Sequence, residues 1–284
     1  MGRGLSKVVR LGIAKMGCLG SVPLLEFLFD ERAERTDLDV RVVGSGAKLG
    51  PEQCVEVTKT LLGLKPDVII VAGPAQQTSG PKEARKLLAD SGIPTLIISD
   101  RPMARIKDEL EKEGFGYIIV EADPMIGARR EFLDPVEMAI FNSEVIKLLA
   151  CTGVFNVIVD AVDRIIESLK RGEKPSLPHI VVDRNLALKA AEYSNPYARA
   201  KALAAFDLAK QVTSLHVEAC FKLTDWKEYT LLVAAGHEAV RLASKLSEEA
   251  REIEKASDSV LRRPHHRDGV RSRKRALIEK PKKD

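Results

Sequence analysis

The chain has 284 residues, with 45 Lys+Arg against 41 Asp+Glu, a formal net charge of +4 at pH 7. The excess sits at one end: residues 262–284 hold ten Lys/Arg and three Asp/Glu, leaving 35 basic (45 − 10) and 38 acidic (41 − 3) residues before them, a net of −3. A mildly acidic body argues against a nucleic-acid footprint spread over a folded face, four scattered cysteines without a CxxC pair argue against a disulfide framework or zinc ribbon, and no apolar run reaches the ~20 residues of a bilayer span.

The first 120 residues alternate between two periods. Residues 7–14 (KVVRLGIA) form a short β-branched strand, and 24–35 place Leu24, Leu25, Leu28 and Phe29 on one helical face. Strand 40–43 and helix 51–62 follow, then strand 67–72 (DVIIVA), apolar on both faces as in a parallel sheet covered on both sides. Helix 81–91, strand 94–98, helix 102–113 and strand 116–120 complete the series. Alternation at this spacing predicts an open, mainly parallel, Rossmann-like α/β sheet.

After residue 120 the pattern turns helical. Asp123-Pro124 reads as a helix start, with Asp as N-cap and Pro in the first position, and a helix is expected from there to Leu149. Thr152 is expected to cap a helix ending near 171–172. Residues 179–183 and 215–221 read as short strands, and 196–211 and 229–255 as helices. The expected division is an α/β coenzyme-binding domain at 1–121, a largely helical region with a small strand element at 122–261, and a basic, solvated tail at 262–284. The cysteine spread suits a reducing cytosol, and the start of the chain lacks a signal-peptide core, so a cytoplasmic protein is expected.

Ligands of open α/β sheets bind outside the carboxyl ends of the strands. The first such turn, Lys15-Met16-Gly17-Cys18-Leu19-Gly20-Ser21, has two glycines but lacks the first glycine of the dinucleotide fingerprint. It is either a ligand cradle or a tight turn. The second, Gly44-Ser45-Gly46-Ala47-Lys48, lacks the GK[ST] of a P-loop and is either an anion contact or a flexible turn. The third, Gly73 to Pro81, is polar and bracketed by two Gly-Pro pairs; the fourth is Ser99-Asp100-Arg101-Pro102. The densest charged stretch is residues 127–139, where Arg129 and Arg130 suit bidentate binding of phosphate or carboxylate. Asp134 or Glu137 suits a heterocycle with adjacent N–H donors. Internal ion pairing at a helix junction is the alternative. Cys18 has no His neighbour in sequence, His216, His237 and the His265-His266 pair read as structural, and no nucleophile elbow, HExxH or SxxK pattern is present. An enzyme with these residues works by placing two molecules together.

Together, KMGCLGS (15–21), LFDERAER (28–35), VRVVGSGAKL (40–49), KDELEKEGFGYIIV (107–120), GARREFLDPVEMAIFN (127–142), LLACTGVF (148–155), VVDRN (181–185), NPYARAKALAA (195–205) and PHHRDG (264–269) resemble the coenzyme F420-dependent methylenetetrahydromethanopterin dehydrogenases of archaeal one-carbon metabolism. The resemblance runs nearly end to end, and GARREFLDPVEMA is its most specific stretch; residues 75–79 depart from the pattern. It implies reversible hydride transfer from the methylene pterin to coenzyme F420 as co-substrate, no catalytic acid or base, no metal, no bound flavin, and a homohexamer built as a trimer of dimers. Combined with the chemistry of the turns, it places the deazaflavin against Lys15, Gly17, Cys18, Gly20, Gly44, Ser45, Gly73, Pro74 and Asp100, and the pterin near Arg129, Arg130, Glu131, Asp134 and Glu137. Two rivals are an NAD(P)-dependent enzyme on the same scaffold and a non-catalytic binding protein whose tail contacts RNA.

Overall fold

The expected alternation is realised as β1 (Val9–Lys15), α1 (Ser21–Asp30), β2 (Leu38–Gly44), α2 (Pro51–Gly63), β3 (Val68–Ala72), α3 (Ser79–Ser91), β4 (Thr95–Asp100), α4 (Lys107–Lys112) and β5 (Gly116–Val120) in the computed structural model, which describes residues 7–283. Residues 1–6, part of the start read above for a signal sequence, and Asp284 lie outside the described residues. The helix expected over 102–113 is divided into a 3-10 turn, Arg101–Ile106, and α4, because Ile106 leaves helical geometry at φ −117°, ψ 11°. The remaining elements are α5 (Pro135–Cys151), α6 (Val154–Lys170), β6 (His179–Val182), α7 (Arg184–Ala191), α8 (Pro196–Phe221), α9 (Trp226–Ala256), β7 (Ser272–Arg273) and β8 (Lys282–Lys283).

Six strands pair in parallel in the order β2-β1-β3-β4-β5-β6. Side chains alternate between two cores, as a period of two requires. Leu11, Ile13, Val68, Ile70, Leu96, Ile98, Ile118 and Val120 face α1, α5 and α6. Ala14, Ile69, Val71, Ile97 and Ile119 face α2, α3 and α4. Burying each large aliphatic side chain is worth roughly 1.5–3 kcal/mol. The sixth strand is the one expected over 179–183 within the largely helical region, and it joins the main sheet; the first core also takes in Leu148, Ile158, Val162 and Phe206.

Four local expectations are corrected. The helix expected from Asp123 begins eleven residues later: Asp134 is the N-cap of α5, accepting from the Glu137 amide at 2.7 Å, with Pro135 in the first turn. The chain contains two Asp-Pro pairs, and only the second starts a helix, because the Asp123 carboxylate is taken up by the amino end of α1. Thr152 does not cap α6; Gly153, at φ +91°, precedes that helix, while the Thr152 hydroxyl donates back to the Leu148 carbonyl. Residues 215–221 are the end of α8, where His216 and Ala219, three apart, are fully buried; packing against α9 overrides strand propensity.

The fourth correction concerns the tail. It folds back through bridges between Arg262 and Lys274 and between His265 and Arg271, and a short β7–β8 pair. His265 is buried, its Nδ1 at 2.6 Å from Glu31 just past α1 and its Nε2 at 3.2 Å from Asp163 on α6. Arg271 pairs with Asp160 and Asp163, and Arg263, Arg273 and Arg275 converge on Glu192. Arg263, Arg271, Arg273 and Arg275 clamp this strap to the body, and their counter-charges come from chain positions far away in sequence.

Candidate active site at the carboxyl edge of the sheet

The strand order reverses between β1 and β3, and the carboxyl ends of these strands are where an open α/β sheet opens a crevice. The first turn leaves β1 through Gly17 at φ +81°, a conformation that favours glycine. A Cβ at Gly17 would stand 3.2 Å from both Leu49 and Pro74, so the first three turns meet there. Gly73 is held tighter: a Cβ would fall 1.8 Å from the Met16 carbonyl oxygen. The Gly73 amide donates to Ile98, and buried Gln76 donates its Nε2 to the Gly73 carbonyl at 3.0 Å. Arg85 donates to the Gln76 carbonyl at 2.6 Å, which braces the third turn from inside and leaves Gln77, Thr78 and Ser79 exposed.

Groups with accessible atoms lie beside this junction. Lys15 is partly exposed, and its side chain runs along Gly44. The Ser45 amide donates to the Lys15 carbonyl at 3.0 Å, and Gly46 has open space where a Cβ would be. Cys18, also partly exposed, points its thiol at Asn142 Oδ1 of α5, 3.6 Å away. Burial raises the Cys18 thiol above its ordinary pKa, against the opposing charge of Lys15, so it stays protonated and is no nucleophile.

Three expected contacts have other duties. The Gly20 amide donates to Asp123 at 3.0 Å, and Val145 fills the place of a Cβ. Asp123 also accepts from the Ser21 amide at 2.7 Å and from the Ser21 hydroxyl, so it caps α1 from 102 residues away. Pro74 is buried under the turn, and Asp100 is 1 % exposed.

The expected pterin segment divides similarly. Arg129 donates through Nε and Nη2 to the Ala219 carbonyl at 3.1 and 2.6 Å and to Leu223 at 3.1 Å, and its guanidinium stacks 4.1 Å from the Tyr229 ring centroid. It is a cap for the carboxyl end of α8. Arg130 is exposed and pairs with Glu131 at 3.1 Å. Asp134 is exposed at the head of α5, and Glu137 accepts from His237 Nδ1 at 2.6 Å. His216 donates from Nδ1 to the Met125 carbonyl, and Phe141 packs on both imidazoles. Burial holds both histidines below their ordinary pKa.

The helix α5 joins the two clusters. Glu137 and Asn142 are five residues apart, a rise of about 7.5 Å, so the Cys18 contact and the Asp134–Glu137 head lie along one helix. Asp123, Asn142, His216 and His237 belong to this environment and were not singled out for it; they carry no local signal, because each is placed by a partner far away in sequence. A cavity of about 650 Å³ between α6, α7 and β6, lined in part by Arg164, Ile180 and Lys189, shares no residue with these turns. Among the described residues no group of three or more His, Cys, Asp and Glu is arranged to hold a metal ion. The arrangement suits positioning: an anion-accepting corner, a protonated thiol, and a polar head on the helix that the thiol touches.

Residues 9–282 match the family model described as methylene-5,6,7,8-tetrahydromethanopterin dehydrogenase. The F420-dependent methylenetetrahydromethanopterin dehydrogenase of Methanocaldococcus jannaschii is 51% identical over 275 residues, 96% of this chain and 99% of that protein. The enzyme of the same name from Archaeoglobus fulgidus is 50% identical over 274 residues, again 96% and 99%. A solved F420-dependent methylene-tetrahydromethanopterin dehydrogenase, in complex with methylene-tetrahydromethanopterin and coenzyme F420, matches with a TM-score of 0.94 and 45% identity, covering 97% of this chain and 100% of that one.

Proposed function

The chain belongs to the methylene-5,6,7,8-tetrahydromethanopterin dehydrogenase family, and we propose on that premise that it transfers hydride reversibly between 5,10-methylenetetrahydromethanopterin and coenzyme F420. The products are methenyltetrahydromethanopterin and reduced coenzyme, in archaeal one-carbon metabolism. It is an F420-dependent oxidoreductase. The observation that carries the reading is the meeting of the first three turns at Gly17, beside a corner whose accessible groups are Lys15, Gly44, Ser45 and Cys18.

Both reactants carry phosphate and carboxylate groups. One lysine and the open backbone at Gly44 and Gly46 fit an anionic chain. We assign the deazaflavin side to Lys15, Cys18, Gly44 and Ser45, with Gly17, Gly73 and Pro74 shaping the wall behind them. Gly20 and Asp100 act from within that wall. We assign the pterin side to Arg130, Glu131, Asp134 and Glu137, with Arg129 holding that segment against α8. Residues 1–121 then serve the coenzyme and 122–261 the pterin.

When bound, the coenzyme supplies the ring that accepts the hydride. The protein holds the two reactants in contact, and fixing reacting atoms at ~3–3.5 Å is itself worth roughly 7–11 kcal/mol of barrier. The wall of buried turns excludes water from one side. Cys18 contributes a neutral surface, since its thiol stays protonated.

A homohexamer, as a trimer of dimers, is part of the proposal; exposed Val136 and Ile140 on α5 and Leu242 on α9 supply apolar surface for subunit contact, and native mass spectrometry checks it. A cytoplasmic location is also proposed, and four free cysteines suit a reducing compartment.

The deciding experiment mixes the purified protein and methylene pterin with oxidised F420 or with oxidised nicotinamide. Reduction of F420 alone is expected, and reduction of nicotinamide alone would overturn the reading. Lys15→Ala is expected to raise KM for F420 about 10-fold, equal to about 1.4 kcal/mol, with KM for the pterin unchanged.

A further inference from the structure

Removing a hydride changes the charge of the molecule that gives it. The methylene C–H bond breaks, and the hydrogen leaves for the coenzyme with both bonding electrons. The carbon left between two nitrogens shares a positive charge with them, so the oxidised pterin carries a cation that the methylene form lacks. A carboxylate that binds the pterin and is not already neutralised favours the cation, and part of that preference acts as the charge develops.

The three acids assigned to the pterin side differ in this respect. Glu131 pairs with Arg130 at 3.1 Å. Asp134 is the cap of α5 and accepts from the Glu137 amide. Glu137, in the first turn of that helix, has no Lys or Arg partner among the described residues; its side chain is held by His237 Nδ1 at 2.6 Å.

The surroundings of His237 decide what kind of partner it is. Its side chain is 5% exposed, whereas that of Glu137 is 29% exposed and keeps carboxylate surface in reach of a ligand. Phe132 meets the imidazole edge-on with ring centroids 4.8 Å apart, and Phe141 lies at 4.4 Å. The His216 ring stands at 5.4 Å, pressed so closely on α9 that a Cβ at Gly236 would fall 2.1 Å from its Nε2. His237 Nε2 is buried and has no hydrogen-bond partner among the described residues. A carboxylate only accepts, so Nδ1 carries the proton that bonds Glu137. A second proton, at Nε2, would bury an N–H with no acceptor. The titratable groups facing the ring are Glu137 from α5, His216 from α8 and Glu238 from α9 itself; burial outweighs the pull of the two carboxylates and holds the imidazole below its ordinary pKa.

We propose that His237 is a positioning residue: a neutral Nδ1–H donor, enclosed by Phe132, Phe141 and His216, that fixes Glu137 as an uncompensated carboxylate which binds the oxidised, cationic pterin in preference to the methylene form. The inference rests on the placement of Glu137 at the pterin made above. A lysine or arginine in the same place would orient Glu137 equally well but would cancel its charge. The imidazole orients it and leaves the charge to the ligand.

The test titrates the full chain, without coenzyme, with methenyl pterin and with methylene pterin and reads the ratio of the two Kd values. Wild type is expected to favour the methenyl cation. Glu137→Gln should reduce that preference roughly 10-fold or more, and His237→Leu, which removes the donor, roughly 10-fold. His237→Asn, close to Leu in shape but with an N–H near the place of Nδ1, should restore most of it. In turnover, kcat for F420 reduction should fall in His237→Leu and recover in His237→Asn, with KM for the methylene pterin little changed. Should His237→Leu fail to fold, His237→Phe keeps a ring between Phe132 and Phe141 and removes the same donor, with the same expectation. Equal ratios in the Leu and Asn variants, or equal losses of affinity for both pterins, overturn the proposal. Loss of the preference in Glu137→Gln with none in His237→Leu overturns it alone. Wild-type affinity of Glu137→Gln for both pterins removes the placement of Glu137 and the proposal with it.

Discussion

The acids of the carboxyl edge and the acids beneath the C-terminal strap are chemically alike and behave oppositely. Asp100 and Asp123 are buried with no ion pair among the described residues, and burial drives both above the ordinary carboxylate range. Glu31, partly buried, meets His265, whose hydrogen bonds outweigh desolvation and hold Glu31 below its ordinary value. For His265, desolvation disfavours the charged form, but the carboxylates of Asp163 and Glu31 win and raise it to about 9. The lesson is that partner supply, more than burial alone, decides which form of a carboxyl the fold stabilises. The edge keeps protonatable acids, whereas the strap keeps a charged clasp.

The comparison is broken most strongly by neutralising one acid on each side. Asp163→Asn leaves His265 and Arg271 short of a partner inside the strap and is expected to cost about 3 kcal/mol in urea unfolding. Asp100→Asn replaces a carboxyl that has no ion pair among the described residues and is expected to be no less stable than wild type at neutral pH. Equal losses would erase the distinction.

The next effect separates the regions by pH. The native-state pKa of Asp100 is raised from 3.8 to about 7, so its contribution is fully present below 3.8 and is lost as pH rises through about 7. His265 is raised from 6.5 to about 9, so its contribution is fully present below 6.5 and is lost as pH rises through about 9. Both regions weaken with rising pH, in windows that overlap only near neutrality. Denaturant midpoints across pH should show the upper window flattened by His265→Gln, by about 2 kcal/mol at most, and the lower window flattened by Asp100→Asn.

A smaller effect sharpens the assignment of the pterin side. Arg129→Lys loses the forked bonds to Ala219 and Leu223 and the stack on Tyr229. It is expected to cost about 1–2 kcal/mol of stability, with KM for the pterin little changed in steady-state assays. A large rise in KM with unchanged stability would return Arg129 to direct substrate contact.

Much of the sheet was legible because its signals are local. The strands 67–72 and 116–120 read as continuous apolar runs, and β3 and β5 are buried throughout. The glycines at 17 and 73 were legible as turn residues. Their joint meaning was not, since the contact of Gly73 with the Met16 carbonyl joins two turns far apart in sequence. Arg129 shows the same limit: its charge and its place in a specific motif suited a substrate, and the carbonyls that occupy it come from α8.

The sequence by itself determined the period-two strands, the helices between them, the acidic body with its basic end, and a family resemblance carried by GARREFLDPVEMA. Tertiary structure decided which of two identical Asp-Pro pairs starts a helix, because the amino end of α1 claims Asp123 across 103 positions. It also decided that the basic end is a strap, because Glu31 reaches His265 across 234 positions. The physical reason is common to both: an isolated segment shows its own periodicity and charge, whereas the partner that satisfies a buried polar group is chosen only when the chain has folded.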